Sequence, residues 1–277
     1  MNKVKIVKVG DIKIGGGNPV VIIAGPCVIE GEDITLRTAY KLKEITQKLG
    51  ISLIFKSSYD KANRTSISGF RGPGIDEGLK ILQKIKDKVG IPVLSDVHTV
   101  EEVKKAKNVL DVIQIPAFLC RQTDLIVAAG KSQKPINVKK GQFIAPWDVI
   151  HIVEKIRSTG NEQILLTERG TTFGYNQLVN DMRSLPIMRD FGYPVVYDAT
   201  HSVQIPSGGD ACSSGDARFI PYLARAAVAV GIDALFMEVH ENPKHALCDG
   251  MNSLSLEKFP YILDQIKKID LLIKEFI

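Results

Sequence analysis

Residues 20–25 read VVIIAG, a short and continuous apolar run that leads directly into Pro26 and Cys27. Such a run is typical of a strand buried on both faces of a parallel sheet. Seven further runs of this kind follow along the chain: SLIFKSS (52–58), PVLSDV (92–97), VIQIPA (112–117), PINVKK (135–140), ILLTER (164–169), PVVYDAT (194–200) and ALFMEVH (234–240).

Apolar residues at helical spacing fill most of the gaps between these runs. One helical pattern ends at Gly50 and another at Gly90, and glycine suits the left-handed backbone of a helix C-cap. Pro146 begins a third pattern, a fourth ends at Gly231, and a fifth occupies the C-terminal part of the chain. A short helix is also predicted around 181–190. Eight strands that alternate with helices predict a closed (β/α)₈ barrel.

The N-terminal segment has a different pattern. VKIVKV and IKI alternate charged and apolar residues on either side of Gly10 and Asp11, which predicts a β-hairpin within about 1–18. The alternative fold, an open doubly wound sheet, normally carries a glycine-rich turn after its first strand, and this chain has AGPCVIEGED there. We therefore predict one domain over 1–277, an α/β protein built as a single (β/α)₈ TIM barrel with an N-terminal β-hairpin.

Composition limits the classes of function. The chain has 277 residues, 44% hydrophobic and 24% charged, as is ordinary for a globular enzyme. No apolar stretch approaches the roughly 20 residues of a membrane span, and the N-terminus lacks a signal-peptide core. Four scattered cysteines without a CxxC pair favour a reduced, cytoplasmic location. The net charge of +5 is spread along predicted helices and aromatic residues are 6%, so we expect no nucleic-acid partner.

Polar residues follow nearly every predicted strand. In a (β/α)₈ barrel the carboxyl ends of the strands meet at one mouth, where active sites lie. The residues expected at this mouth are Cys27, Glu30, Lys56, Asp60, Lys61, Asn63, Arg64, Thr65, Asp96, His98, Gln114, Ala117, Arg121, Lys139, Lys140, Glu168, Arg169, Asp198, His201, Glu238 and His240.

Cations are the largest group at the predicted mouth, namely Lys56, Lys61, Arg64, Arg121, Lys139 and Arg169. Their mutual repulsion favours anionic substrates, and two phosphorylated molecules would supply charge of matching size. Three alternatives stay open. Some of the cations would pair with Asp60, Asp96 or Glu168, a buried Lys139 or Lys56 would act as a Schiff-base aldolase lysine, or the barrel would bind phosphosugars without catalysis.

Four residues with metal-ligand chemistry also lie at or beyond strand ends. Cys27, His201, Glu238 and Asp249 offer a thiolate, an imidazole and two carboxylates, which suit a divalent cation such as zinc, iron or manganese. Glu238 within ALFMEV must be paired, protonated or metal-bound. Each of the other three is also compatible with an ordinary structural role, so spacing alone leaves the metal site open.

The motifs carry a family resemblance over almost the whole chain. IAGPCVIE, FKSSYDKANRTSISGFRGPG, SDVH, QIPAFLCRQTDL, NVKKGQF, TERGTTFGYNQLVNDMRS, DATHSVQ and CDG closely resemble the 3-deoxy-D-manno-octulosonate 8-phosphate synthases. The related 3-deoxy-D-arabino-heptulosonate 7-phosphate synthases typically carry a KPRTS-like segment where this chain has KANRT (61–65). The resemblance implies a transferase of lipopolysaccharide (KDO) biosynthesis. Its reaction would condense phosphoenolpyruvate with D-arabinose 5-phosphate and water, giving the eight-carbon sugar phosphate and inorganic phosphate.

The resemblance also implies roles for residues. It places phosphoenolpyruvate among Lys61, Gln114, the backbone of Ala117, Lys139 and Arg169. It places the pentose phosphate at Asn63, Arg64 and Thr65, with Arg121 reaching it from a neighbouring subunit of a homotetramer. We also count Lys56 and Asp96 among the substrate-binding candidates.

Metal-requiring members of that family have a cysteine in the first-strand motif, whereas metal-independent members have an asparagine. With Cys27 at this position, the chain resembles the metal-requiring branch. The implied ligands are Cys27, His201, Glu238 and Asp249, and the candidate catalytic residues are Cys27, Lys61, His201 and Asp249. Cys27 favours a metal requirement. The segment Cys248-Asp249-Gly250 also occurs in metal-independent members, so the sequence does not decide it. The glycine- and serine-rich stretch 207–215 is expected to be a mobile lid or a plain surface loop.

Overall fold

The computed structural model describes residues 4–205 and 214–276. Two short strands, β1 (Val7–Val9) and β2 (Ile12–Ile14), pair antiparallel across the turn at Gly10 and Asp11. Gly10 has a φ of 57°, a left-handed conformation that glycine adopts without strain. The buried side chains of this hairpin pack against the interior of the barrel. The predicted N-terminal hairpin is therefore confirmed.

The barrel follows the hairpin along the chain. Thirteen further strands are present in the described residues: β3 (Val21–Gly25), β4 (Leu53–Lys56), β5 (Val93–Asp96), β6 (Val112–Ile115), β7 (Ile136–Lys139), β8 (Ile164–Glu168), β9 (Thr171–Thr172), β10 (Leu178–Val179), β11 (Val195–Asp198), β12 (Gln204–Ile205), β13 (Ser214–Gly215), β14 (Ala234–His240) and β15 (Leu254–Ser255). Eight of them pair in parallel in the order β11-β8-β7-β6-β5-β4-β3-β14, and β11 also pairs with β14. The sheet is thus closed, and the predicted (β/α)₈ barrel is confirmed.

Helices cover the outside of the barrel. The α-helices are α1 (Glu32–Leu49), α2 (Ile75–Val89), α3 (Val100–Ala106), α4 (Thr123–Lys131), α5 (Val149–Arg157), α6 (Ser184–Arg189), α7 (Ile220–Val230) and α8 (Phe259–Lys274). Gly50, Gly90 and Gly231 take the left-handed C-cap positions after α1, α2 and α7, as their place in the sequence predicts. A 3₁₀ turn at Pro146–Asp148 leads into α5.

The core has two layers because successive strand residues face opposite sides of the sheet. Along β3, Val21 and Ile23 belong to the apolar cluster inside the barrel, together with Phe236 of β14. Ile22 and Ala24 belong instead to the cluster between the sheet and the helices. Burial on both faces explains why the strands read as continuous apolar runs in the sequence.

Short elements line the mouth of the barrel. β9 and β10 form one antiparallel pair after β8, and β12 and β13 form another after β11. Residues 207–213 of the predicted lid lie outside the described residues, while Ser214 and Gly215 form β13. Within the described ranges, no helix is both long enough and apolar enough to cross a membrane.

Candidate active site

A cavity of about 330 Å³ opens at the carboxyl ends of the barrel strands. Topology accounts for its position, since parallel strands all end at the same mouth. Most of the residues predicted from the sequence line it: Lys56, Lys61, Asn63, Arg64, Thr65, Asp96, Gln114, Ala117, Lys139, Arg169, His201 and Asp249.

Of the residues predicted to bind substrate or metal or to take part in catalysis, three do not line this cavity. Cys27 and Glu238 are buried next to residues that do, because Cys27 Sγ lies 3.1 Å from Asp249 Oδ2 and Glu238 Oε1 lies 2.9 Å from Lys56 Nζ. Arg121 is exposed, and its backbone carbonyl accepts a hydrogen bond from the side chain of an α5 lysine. The structure therefore brings Cys27 and Glu238 to the site but leaves Arg121 outside the cavity of its own chain.

Glu238 and Lys56 form a buried ion pair beside the cavity. Lys56 Nζ donates to Glu238 Oε1 and to the backbone carbonyl of Cys27, both at 2.9 Å. Burial alone would raise the pKa of Glu238, but the charges of Lys56, His201 and Lys61 outweigh it and lower the pKa to about 2. Glu238 is therefore an anion at neutral pH, although its second oxygen, Oε2, is buried without a hydrogen-bond partner in the described structure.

A second buried pair joins Lys139 to Asp198. The ammonium of Lys139 bonds to Asp198 Oδ2 and lies 3.3 Å from the centre of the Phe236 ring. Burial lowers the pKa of Lys139 to about 8, although Asp198 acts in the opposite direction. Asp198 Oδ2 also lies 2.8 Å from Nδ1 of His201 and so orients that imidazole.

The ion pairs differ from one alternative in the sequence analysis, in which mouth cations pair with Asp60, Asp96 or Glu168. Asp60 bonds to Arg71 Nε at 2.8 Å, and Asp96 contacts His98, so neither forms an ion pair with a predicted mouth cation in the described structure. Glu168 Oε1 lies 3.4 Å from Nζ of Lys140. This ammonium also donates to the backbone carbonyls of Gly141 and Ile144, which precede α5. Among the described residues, the carboxylates that pair with the predicted mouth cations are Glu238, with Lys56 and Lys61, and Asp198, with Lys139.

Two arginines retain unused donors in the cavity. Arg64 Nε donates to the carbonyl of Phe70, but its buried Nη2 has no partner among the described residues. Arg169 Nη2 donates to Gln204 Oε1 at 2.8 Å, and its buried Nη1 is likewise unpartnered in that part of the chain. Buried guanidinium donors are expensive to leave unpaired, so both groups point to an anionic ligand.

Asp96 is held by a network that reaches to α3. Its carboxylate accepts from Ser58 and lies 3.2 Å from Nε2 of His98. Nδ1 of His98 lies 3.0 Å from Glu102, which also accepts from Tyr59 at 2.6 Å. Burial would lower the pKa of His98, but its hydrogen bonds to the two carboxylates raise it to about 10.

Metal-ligand groups converge at one side of the cavity. Ligand atoms of His201, Glu238 and Asp249 lie within 4.8 Å of one another, and so do those of Cys27, Cys248 and Asp249. The orphaned Oε2 of Glu238 fits a cation, and the mixture of sulfur, nitrogen and oxygen suits a borderline divalent metal. These groups could hold a metal, as the four residues predicted from the sequence suggest.

Glu30 fixes the loop that carries Asp249. Its Oε1 accepts from the backbone N–H of Leu247 at 2.8 Å, and its Oε2 lies 3.4 Å from Nε2 of His240. Asp249 itself has a φ of 48°, a left-handed conformation that aspartate tolerates better than most residues. The loop after β14 is therefore tied to the loop after β3, which carries Cys27.

Sequence reasoning missed three contributors to the site. Gln142 and Gln204 line the cavity, although neither was singled out from the sequence. Cys248 joins a possible ligand group, and its only sequence signal is its position next to Asp249. Each lies several residues beyond the end of a barrel strand (β7, β11 or β14), so the path of the chain after that strand decides where its side chain lies.

Comparison with known proteins agrees with this geometry. The chain matches the model of the DAHP synthetase I family over residues 3–275. The 2-dehydro-3-deoxyphosphooctonate aldolase of Geobacter sulfurreducens is 62% identical over 268 residues, covering 97% of this chain and 98% of that protein. Proteins of the same name from Geobacter sp. (strain M21) and Trichlorobacter lovleyi are each 60% identical, covering 97% and 98% of this chain and 98% and 99% of their own. The chain therefore belongs to the DAHP synthetase I family and, within it, to the 2-dehydro-3-deoxyphosphooctonate aldolases.

Proposed function

We propose that this enzyme condenses phosphoenolpyruvate with D-arabinose 5-phosphate and water. The products are 3-deoxy-D-manno-octulosonate 8-phosphate and inorganic phosphate, and the reaction serves lipopolysaccharide (KDO) biosynthesis in the cytoplasm. The observation that carries this proposal is a pair of buried guanidinium nitrogens, on Arg64 and Arg169 in one cavity, that have no partner within residues 4–205 and 214–276. Two separate arginine donors suit two separate anionic groups, as two phosphorylated substrates require.

Phosphoenolpyruvate is assigned to the side of the cavity with Arg169. Lys61, Gln114, the backbone of Ala117 and Lys139 all line the same cavity and would surround its phosphate and carboxylate. Arg169 Nη2 donates to Gln204, whereas Nη1 meets no acceptor among the residues that the structure describes and would serve a phosphate oxygen. Lys139 is held between Asp198 and the Phe236 ring, so its position is fixed before the substrate binds.

The pentose phosphate is assigned to the KANRT segment. Asn63, Arg64 and Thr65 line the same cavity. Arg121 is exposed on its own chain and would reach this phosphate from a neighbouring subunit of a homotetramer. Lys56 and Asp96 are assigned to the substrate-binding wall, where Lys56 already forms an ion pair with Glu238.

We also propose that residues 1–277 form one domain.

The chemistry follows from where charge develops. C3 of phosphoenolpyruvate attacks the aldehyde carbon, water adds at C2, and phosphate leaves with cleavage of the C2–O bond. Positive charge develops at C2 and negative charge on the aldehyde oxygen, so Lys61 would stabilise or protonate that oxygen. His201, oriented by Asp198 at 2.8 Å, and Asp249 are placed to move protons to and from water.

A divalent metal such as zinc, iron or manganese is part of this proposal. Cys27, His201, Glu238 and Asp249 would hold it, and Oε2 of Glu238, which has no hydrogen-bond partner in the described part of the chain, supports a cation there. When bound, the metal would orient the aldehyde end of the substrate and make a nearby water more acidic. Treatment with a chelator should abolish phosphate release, and added Zn²⁺ or Mn²⁺ should restore it. Full activity after thorough metal removal would contradict the requirement without affecting the proposed reaction.

One observation favours a second candidate function. Lys139 is buried with a pKa lowered to about 8, which is the condition for a Schiff-base aldolase lysine. Its bond to Asp198 favours the charged form and the role in anion binding. Borohydride reduction in the presence of substrate separates the two, since only a Schiff base would leave a covalent adduct on Lys139.

The direct test is phosphate release with different acceptors. Phosphoenolpyruvate together with arabinose 5-phosphate should release inorganic phosphate, whereas the four-carbon erythrose 4-phosphate should support a much lower rate. No release with either acceptor would contradict the proposal. Preference for the four-carbon sugar would assign the chain the activity of the heptulosonate synthases instead. Tight binding without release would favour the non-catalytic phosphosugar-binding barrel.

A further inference from the structure

We propose that Cys248 supplies a second sulfur ligand at the metal site and biases that site towards thiophilic cations such as Zn²⁺. The inference rests on the metal of the proposed function. It concerns a residue for which the sequence motifs predict no role. Three observations carry it: the position of the two thiols, the shared carboxylate of Asp249, and the unpaired oxygen of Glu238.

The thiols of Cys27 and Cys248 both donate a hydrogen bond to the carboxylate of Asp249. The sulfur atoms of Cys27 and Cys248 and a carboxylate oxygen of Asp249 lie within 4.8 Å of one another. Asp249 Oδ2 lies 3.1 Å from Cys27 Sγ and 3.4 Å from Cys248 Sγ, and it accepts from both. Both cysteines are buried. A cation that replaces the two S–H protons would satisfy both sulfurs and the carboxylate at once.

The observation at Glu238 is independent of the thiols. Glu238 is completely buried, and its Oε2 has no hydrogen-bond partner in the part of the chain that the structure describes. An unsatisfied carboxylate oxygen costs free energy unless a cation or donor occupies the space beside it. Glu238 forms a ligand group with His201 and Asp249, whose ligand atoms lie within 4.8 Å of one another. Asp249 is common to this group and to the cysteine pair, so the two groups belong to one site.

Sulfur content decides which cation such a site prefers. Thiolates are soft ligands that favour zinc over manganese or magnesium, whereas carboxylates favour the harder cations. With Cys27 as the single thiolate, the site would combine one soft sulfur ligand with nitrogen and oxygen ligands. Cys248 would add a second thiolate and shift the preference towards Zn²⁺. Each thiol must lose its proton to solvent when it binds the cation, so binding would release one more proton than a single-cysteine site.

Co²⁺ titration of the full chain after metal removal tests this inference. Cobalt bound by thiolate absorbs in the near ultraviolet through sulfur-to-metal charge transfer, and the intensity follows the number of sulfur ligands. We expect Cys248→Ser and Cys27→Ser each to reduce this absorbance to about half that of the wild-type protein. Cys248→Ala, which has no ligand atom, should match Cys248→Ser. Competition titrations should show a Zn²⁺ affinity lowered about tenfold or more by Cys248→Ser, with a change of less than about threefold for Mn²⁺.

Two other cysteines provide matched controls. Cys120 is buried elsewhere in the barrel, against Gly141, and Cys212 lies outside the described residues. Cys120→Ser and Cys212→Ser should leave the absorbance unchanged, and a decrease in either would place the second sulfur elsewhere and overturn the inference. Unchanged absorbance and Zn²⁺ affinity in Cys248→Ser would overturn it too, while leaving a single-thiolate metal site intact. If the wild-type protein binds no cobalt or zinc, both this inference and the proposed metal fail.

Discussion

Lys56 Nζ lies 2.9 Å from Glu238 Oε1, and the two side chains are 1% and 0% exposed. The same ammonium donates to the backbone carbonyl of Cys27 at 2.9 Å. Lys56 therefore ties the end of β4 to the ends of β3 and β14, which carry Cys27 and Glu238. Its charge compensates a buried carboxylate at the candidate metal site, so its first role is to keep that site folded and anionic.

Replacement of Lys56 by methionine should destabilise the protein. The apolar side chain has a similar size but leaves Glu238 without its nearest cation, and removal of one partner from a buried pair typically costs about 3–5 kcal/mol. Chemical denaturation would measure the loss in free energy of unfolding. Lys104→Met is the control because this lysine is 69% exposed, and it should change stability by less than about 0.5 kcal/mol. Equal stability of the two variants would contradict the compensating role of Lys56.

Arg169→Lys and Arg64→Lys should separate the two substrates. Lysine keeps the charge but lacks the planar donors that match a phosphate. This loss should lower the affinity for the phosphate by about tenfold or more. We expect Arg169→Lys to raise KM mainly for phosphoenolpyruvate, and Arg64→Lys to raise it mainly for arabinose 5-phosphate. Steady-state kinetics with each substrate varied in turn measures both effects. The opposite pattern would reverse the assignment of the two arginines, and Arg157→Lys, on the exposed end of α5, should change neither KM.

Glu30 should control metal affinity without binding the metal. Glu30→Ala removes the acceptor for the Leu247 N–H and the contact with His240, so the loop that carries Asp249 loses its anchor. Loss of such a supporting contact typically weakens metal binding about 10–100-fold. Glu30→Gln keeps one acceptor oxygen and should retain most of the affinity. Zn²⁺ competition titrations would decide, and identical affinities for wild type and Glu30→Ala would show that the anchor is unnecessary.

His98 should make stability depend on pH in the alkaline range. Its pKa is raised from 6.5 to about 10 in the folded protein by Asp96 and Glu102. A raised pKa stabilises the folded state fully below pH 6.5, and this contribution is lost as the pH rises towards 10. The difference in unfolding free energy between wild type and His98→Asn should therefore be largest near pH 6, on the order of a few kcal/mol, and shrink by pH 10. A difference that stays constant over this range would mean that His98 is not charged in the fold.

Most of the barrel could be predicted because its signals are local. Apolar strands, and glycines such as Gly50 and Gly90 at left-handed C-caps, follow from sequence neighbours alone. α3 and α4 were not predicted because their buried faces contain few large apolar residues. α3 buries only Val103 and Ala106, and half of the buried residues of α4 are the small Ala129 and Gly130. The C-terminal helix begins only at Phe259, since Leu254 and Ser255 first pair with β14. That pairing depends on tertiary contact and leaves no local pattern.

The site was predictable as a set of residues but not as a set of pairs. Barrel topology brings strand ends together, so Lys139 and Glu238 were expected at one mouth. Their partners could not be named, because Lys56 and Glu238 are 182 residues apart in the chain and Lys139 and Asp198 are 59 apart. Cys248 was missed for a related reason. Its approach to Cys27 depends on loop conformation, which the spacing of residues does not encode.

The fate of the bridging oxygen of phosphoenolpyruvate tests the proposed reaction most directly. Phosphoenolpyruvate labelled with ¹⁸O between C2 and phosphorus would be incubated with arabinose 5-phosphate and the metal-loaded enzyme. Mass spectrometry would then locate the label. Because phosphate is proposed to leave with cleavage of the C2–O bond, we predict that the label appears in inorganic phosphate and that the sugar product carries oxygen from water at C2. Label retained at C2 of the sugar product, or no phosphate release at all, would contradict the proposed condensation.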